Sequence, residues 1–94
     1  IHLTAVFACN FVNRLVARAK EISDSQQIPF HYFLPLIKET TSKIEKIEPK
    51  LAQTGPAIRN DEKILQLHEA LITEEEHLKI YQVMNESIKK MYEL

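Results

Sequence analysis

The sequence predicts an all-α fold, and three observations carry that prediction. Apolar residues recur at steps of three and four along four separate stretches. No stretch alternates apolar and polar residues as a half-buried strand would. One glycine and four prolines in 94 residues are too few for the turns of a sandwich of short strands. A composition 45% hydrophobic and 27% charged belongs to a globular chain, not to a disordered or collagen-like one. At this length the chain is a single domain, residues 1–94, near the lower limit for burying a self-sufficient core.

The first helix is expected from Ile1 to about Ser23. Ala5, Ala8, Val12, Leu15, Ala19 and Ile22 form one stripe, read as core. Leu3 and Phe7 fall on the opposite side with Asn10 and Arg14, so the first half is apolar nearly all round and needs a second surface to cover it. Ala5, Ala8 and Cys9 are small enough to let another helix approach closely. Asp24, Ser25 and "QQIP" end the helix.

A second helix begins around Tyr32 to Pro35, where proline is tolerated in a first turn, and runs to about Ile47. Phe33, Leu36, Ile37, Thr40, Ile44 and Ile47 are its buried stripe; Pro49 is expected to stop it, with "PKLAQTGPAIRND" as the one long connection. The third helix carries Ile64, Leu65, Leu67, His68, Leu71 and Ile72, with Asn60 or Asp61 as its cap. The fourth starts at a capping-box pattern, Thr73 with Glu76, and turns Leu78, Tyr81, Met84, Ile88 and Met91 or Tyr92 inward.

Charge and motifs exclude more than they assign. A net charge of -1 and a pI of about 6.5 give no basic footprint for nucleic acid or anionic lipid. The apolar start lacks the basic segment of a signal peptide, continues into charges at helical spacing, and is too short and polar to span a bilayer. A lone Cys9 forms no internal disulfide, which predicts a reducing, cytoplasmic setting; Cys9 itself reads as a small buried hydrophobe. An initial Ile in place of Met predicts a piece of a longer chain.

His2, His31, His68 and His77 are scattered, and Glu-x-x-His occurs once, Glu74 to His77, where a di-metal bundle needs it twice, so no metal is expected. There is no nucleophile elbow to support a serine mechanism, and with one glycine there is no glycine-rich phosphate loop, so this chain alone binds no dinucleotide in the Rossmann manner. Arg14 and Arg18, one turn apart, read as solvated surface. His68, in the apolar stripe of the third helix, reads first as a core residue with one ring nitrogen hydrogen-bonded and second as a cleft residue.

The densest backbone chemistry lies in "AQTGPAIRND", Ala52 to Asp61. Pro56 drives Gly55 out of the right-handed helical region, making a defined bend. A bend plus a helix cap accounts for Gly55, Pro56, Asn60 and Asp61 but leaves Arg59, Gln53 and Thr54 without a purpose.

Together "HLTAVFACNFVN", "PLIKET" and "AQTGPAIRNDEKILQLHEAL" resemble the DUF2520 domain. That is the C-terminal helical domain of a family of Rossmann-like oxidoreductases, related to pyrroline-5-carboxylate reductase and to the group with a 6-phosphogluconate-dehydrogenase-like C-terminal domain. The resemblance runs from His2 to about Tyr81, and its most specific part is the Thr-Gly-Pro-x-x-Arg-x-Asp segment followed by a histidine seven residues later. It implies a four-helix domain of that type and a two-domain parent. An N-terminal Rossmann domain, absent from this chain, would bind NADP or NAD; this domain would close the cleft, form the homodimer and bind no cofactor alone. The family pattern carries onto Asn10, onto Thr54, Gly55, Pro56, Arg59 and Asp61, and onto His68.

The resemblance thus implies that Asn10 and the 54–61 loop line a cleft for a small-molecule substrate. Arg59 would either bind a substrate carboxylate or brace Asp61, both roles suited to a planar bidentate donor, and His68 would sit under the loop as an orienting group. Asn60 stands where many relatives carry a second glycine, so the turn is either tighter or uses Asn in a left-handed conformation. The rival reading is a stand-alone helical interaction module without chemistry, which needs only the amphipathic stripes.

Overall fold

The computed structural model describes residues 1–94, all of whose regular structure is helical. The chain divides into two compact units, residues 1–42 and 43–94.

In the first unit, α1 spans residues 2–25 without a break. It is α-helical at His2–Ala5 and Val12–Ser25, with a π-helical stretch, Val6–Phe11, between them. Apolar periodicity carries no signature for the i→i+5 bonding of that stretch, so the sequence predicts a plain α-helix here. The helix closes in a Schellman motif: Ile28 N–H donates to the Ser23 carbonyl and Gln27 N–H to that of Asp24, with Gln27 in the left-handed region at φ 59. The Ser23 hydroxyl donates to the Ile28 carbonyl, and Ser23 is buried. A 3-10 turn, Phe30–Phe33, packs against the Val12–Ser25 stretch and leads directly into α2, Leu34–Lys43.

Several expectations for this unit are overturned. The stripe Ala5, Ala8, Val12, Leu15, Ala19 and Ile22 is exposed, as is the opposite face, with Leu3 at 72% and Phe7 at 61%. Cys9 is exposed as well. The reason is coverage, since the unit brings its 3-10 turn against α1 only at the Val12–Ser25 stretch. Arg18, expected in solvent, is 8% exposed, and its guanidinium pairs with Glu21 at 3.2 Å. Arg14 reaches the same carboxylate at 3.9 Å and stays in solvent. α2 ends at Lys43, short of Ile47; Leu36, Thr40, Ile44 and Ile47 are exposed, while Phe33 and Ile37 are half-buried.

In the second unit, Pro49 opens a helix instead of stopping one. α3, Pro49–Ala52, has Pro at its first position, where the missing N–H costs no intrahelical bond. α4, Glu62–Leu71, and α5, Glu75–Met91, form an antiparallel hairpin. Three side-chain pairs set its register: Glu62 with Lys89, Glu69 with Gln82 at 2.6 Å, and His68 with Tyr81 at 2.8 Å. Glu62, at the start of α4, pairs near the end of α5, while His68 and Glu69, near the end of α4, pair nearer the start of α5, as an antiparallel arrangement requires.

The cap of α5 differs from the sequence expectation. Glu74, not Thr73, accepts from the backbone N–H groups of Glu76 at 2.9 Å and His77 at 3.1 Å. The same carboxylate lies 3.3 Å from the His77 ring, so the Glu-x-x-His spacing is a capping arrangement. α5 closes in a second Schellman motif, with Glu93 left-handed at φ 57, and the Tyr92 hydroxyl donates to the Lys50 carbonyl. Leu65 and Ala57 are the buried apolar residues, while Leu67, Leu71 and Met84, all expected inward, are exposed; of the alternatives Met91 and Tyr92, Met91 is exposed and Tyr92 half-buried. Their faces have no covering layer within the unit.

Candidate functional site

The 53–61 segment is ordered by its own backbone. Gly55 takes φ 104, a conformation open to glycine, and nothing lies within 4 Å of where a β-carbon would sit. Glycine is therefore required here by the dihedral and not by crowding. Residues 56–60 make one turn closed as helices close: Asn60 N–H donates to the Ala57 carbonyl and Asp61 N–H to that of Pro56, both at 3.0 Å. Asn60 stands at φ 53, the left-handed alternative raised by its place in the motif. Ala57, 1% exposed, pins the turn to the body of the unit.

Asp61 then caps α4, accepting from Ile64 N–H at 3.3 Å. The next carboxylate, Glu62, is held by Lys89. Arg59, between Asn60 and Ile58 on the exposed side of the turn, has no hydrogen-bond or ion-pair partner in the chain. The bracing role for Arg59 on Asp61 is thus not the one this geometry adopts. Thr54 is exposed too; its carbonyl accepts from Gln53 and its hydroxyl is unengaged.

His68 is half-buried and linked through Nδ1 to the Tyr81 hydroxyl, with the rings edge to face at 5.8 Å. One ring nitrogen is hydrogen-bonded, as the first reading expects, but the residue is half-buried and not core. Sequence reasoning missed the partner: Tyr81 was assigned to the inward stripe, but its hydroxyl was not matched to a group. The available signal was that a tyrosine buried along a helix stripe needs somewhere to place its hydroxyl.

Asn10, the remaining candidate, is exposed within the π-helical stretch of α1 in the first unit. Next to it, the Phe7 and Phe11 rings meet edge to face at 4.9 Å. Such π stretches recur at functional sites, which keeps Asn10 a candidate. The structure brings Thr54, Gly55, Pro56, Arg59 and Asp61 together on one turn and places His68 one helix further on. A separate groove of about 310 Å³ between α4 and α5 is lined by Glu62, Leu65, Glu69, Gln82, Asn85, Glu86 and Lys89 and includes none of the predicted site residues. No group of three His, Cys, Asp or Glu side chains is placed to hold a metal ion, and no helix is long and apolar enough to cross a membrane.

Comparison with known proteins bears on this arrangement. The profile of DUF2520, a domain of unknown function, matches residues 1–88. No curated protein matches the chain. Among solved structures, that of a "putative NADP oxidoreductase" from Bacteroides fragilis is similar, at 42% identity and a TM-score of 0.91. The match covers 95% of this chain and 35% of that one, so the chain spans about a third of the length of the protein it matches.

Proposed function

This chain belongs to the DUF2520 family, and we propose that it is the substrate-side and dimerisation domain of an NADP-dependent oxidoreductase. The observation that carries the proposal is the close match of nearly this entire chain to one part of the Bacteroides fragilis protein. The remaining length of such a parent supplies the dinucleotide-binding domain that a chain with one glycine lacks. The 54–61 turn then lines the wall of the cleft between that domain and this one. The exposed apolar face at Leu3 and Phe7 is the surface for a second copy, giving a cytoplasmic homodimer.

In this division of labour the bound nicotinamide supplies the hydride chemistry. Residues of the turn bind and orient a small-molecule substrate and exclude water when the cleft closes. The test is NADP+ binding by the full-length parent and by the 94-residue chain, followed by calorimetry. Saturable binding to the parent alone is the expected outcome. A parent with no glycine-rich strand-turn-helix unit and no affinity for NADP+ removes the oxidoreductase reading.

A further inference from the structure

We propose that Arg59 anchors the carboxylate of a small monoanionic substrate. The inference rests on the reading that the 54–61 turn lines a cleft that closes, and it adds the chemical class of what enters.

Three arginines occur in the chain, and two share one carboxylate: Arg14 and Arg18 both reach Glu21. Arg59 has no such partner, although two acids follow it closely in sequence. Neither carboxylate reaches it: one Asp61 oxygen accepts from the Ile64 N–H, and Glu62 pairs with Lys89. The turn that bears Arg59 is fixed by two positive-φ residues, two backbone hydrogen bonds and buried Ala57, so its guanidinium stands on a rigid base. A preorganised base lowers the ordering cost of binding.

In the open domain this arginine is solvated, and its lack of a partner costs nothing. Once another domain closes over the turn, an unpaired guanidinium is a buried uncompensated charge, at a penalty of several kcal/mol. Closure therefore calls for an anion at Arg59. A single guanidinium offers one fork of parallel N–H donors, matched to one carboxylate. A phosphate dianion carries more charge into the field of Asp61 and Glu62, the acids nearest in sequence on the C-terminal side, so they oppose it more strongly than a monoanion. Open space beside Gly55 leaves the backbone accessible to the rest of such a molecule.

The experiment is arginine modification by phenylglyoxal in the full-length parent, with Arg59 followed by peptide mass mapping and NADP+ affinity measured in parallel. Propionate is the probe, with propionamide as its neutral counterpart and inorganic phosphate as the alternative anion. Propionate filling about nine-tenths of the sites slows modification of Arg59 about tenfold, and propionamide leaves it unchanged. Unchanged modification under propionate, equal protection by phosphate, or full protection by NADP+ alone overturns the assignment. Protection by propionate in a parent that binds no NADP+ upholds the carboxylate site and overturns the oxidoreductase reading. NADP+ binding without protection by propionate does the reverse.

Discussion

Two regions of this chain, α1 and the 53–61 turn, handle their surfaces in opposite ways. In α1 the side chains are apolar and the backbone is unremarkable apart from its π-helical stretch, yet Leu3, Phe7, Phe11, Val12 and Leu15 all remain exposed. In the 53–61 turn the side chains are mostly small or polar. There the backbone satisfies itself through two hydrogen bonds and a cap, leaving one arginine over. The first region lacks apolar cover and the second lacks an anion. A helix face that cannot be buried by its own unit points to a macromolecular partner, and a rigid turn with a spare charge points to a small ligand.

The largest expected effect separates the two regions. Introducing Leu3→Asp with Phe7→Asp removes apolar contact from both copies across a two-fold interface. At about 1.5–3 kcal/mol per fully buried side chain, the dimer weakens by at least about 100-fold in sedimentation equilibrium of the full-length chain. An unchanged association constant would mean that something other than a second copy covers this face. Substitutions in the turn are expected to leave that constant alone.

Next in size is Leu65→Ala, the large buried side chain of the second unit. It costs about 2–5 kcal/mol and lowers the melting temperature by roughly 10 °C, as calorimetry on the same protein would show. A shift below about 2 °C would mean that Leu65 is not core in the assembled protein.

Gly55→Ala and Asp61→Ala sharpen the account of the turn. The first forces a β-carbon onto φ 104 at a cost of about 1–2 kcal/mol. The second removes the α4 cap at about 1 kcal/mol. Either loss is read from chemical denaturation. If Asp61→Ala were neutral, the Ile64 N–H would have found another acceptor and the turn would be looser than described.

The smallest effect is the most telling for Arg59. Arg59→Gln changes stability by less than about 0.5 kcal/mol, since the guanidinium has no hydrogen-bond or ion-pair partner in the chain. Loss of stability without loss of ligand binding or turnover would favour a stand-alone helical module over a cleft wall.

What the sequence made legible follows from which forces are local. The helices around Ile64 and Leu78, the bend at Gly55 and the cap at Asp61 each depend on a few neighbouring residues, and each is where the periodicity and turn chemistry put it, while the left-handed option at Asn60 comes from the family resemblance. The cap at Glu74 shows the limit of local patterns. Thr73 and Glu76 satisfy the capping-box spacing, but the side chain of Glu74 reaches two N–H groups itself and moves the cap by one residue. The stripe on α1 failed as a core because periodicity tells which face is apolar and not what covers it. The π-helical stretch has no pattern in one sequence. Arg59 was conspicuous before the fold was known, because bend and cap had no use for it. In the fold Asp61 turns to the Ile64 N–H and Glu62 to Lys89, and neither pairs with it.

The central claim is that the 54–61 turn is one wall of a site completed by an upstream dinucleotide-binding domain. Amide hydrogen exchange in the full-length protein, with and without saturating NADP+, tests it most directly. Slower exchange across residues 54–61 when NADP+ is bound, alongside slower exchange in the upstream domain, is the result expected. Protection confined to the upstream domain, with the turn exchanging at its free rate, would contradict it.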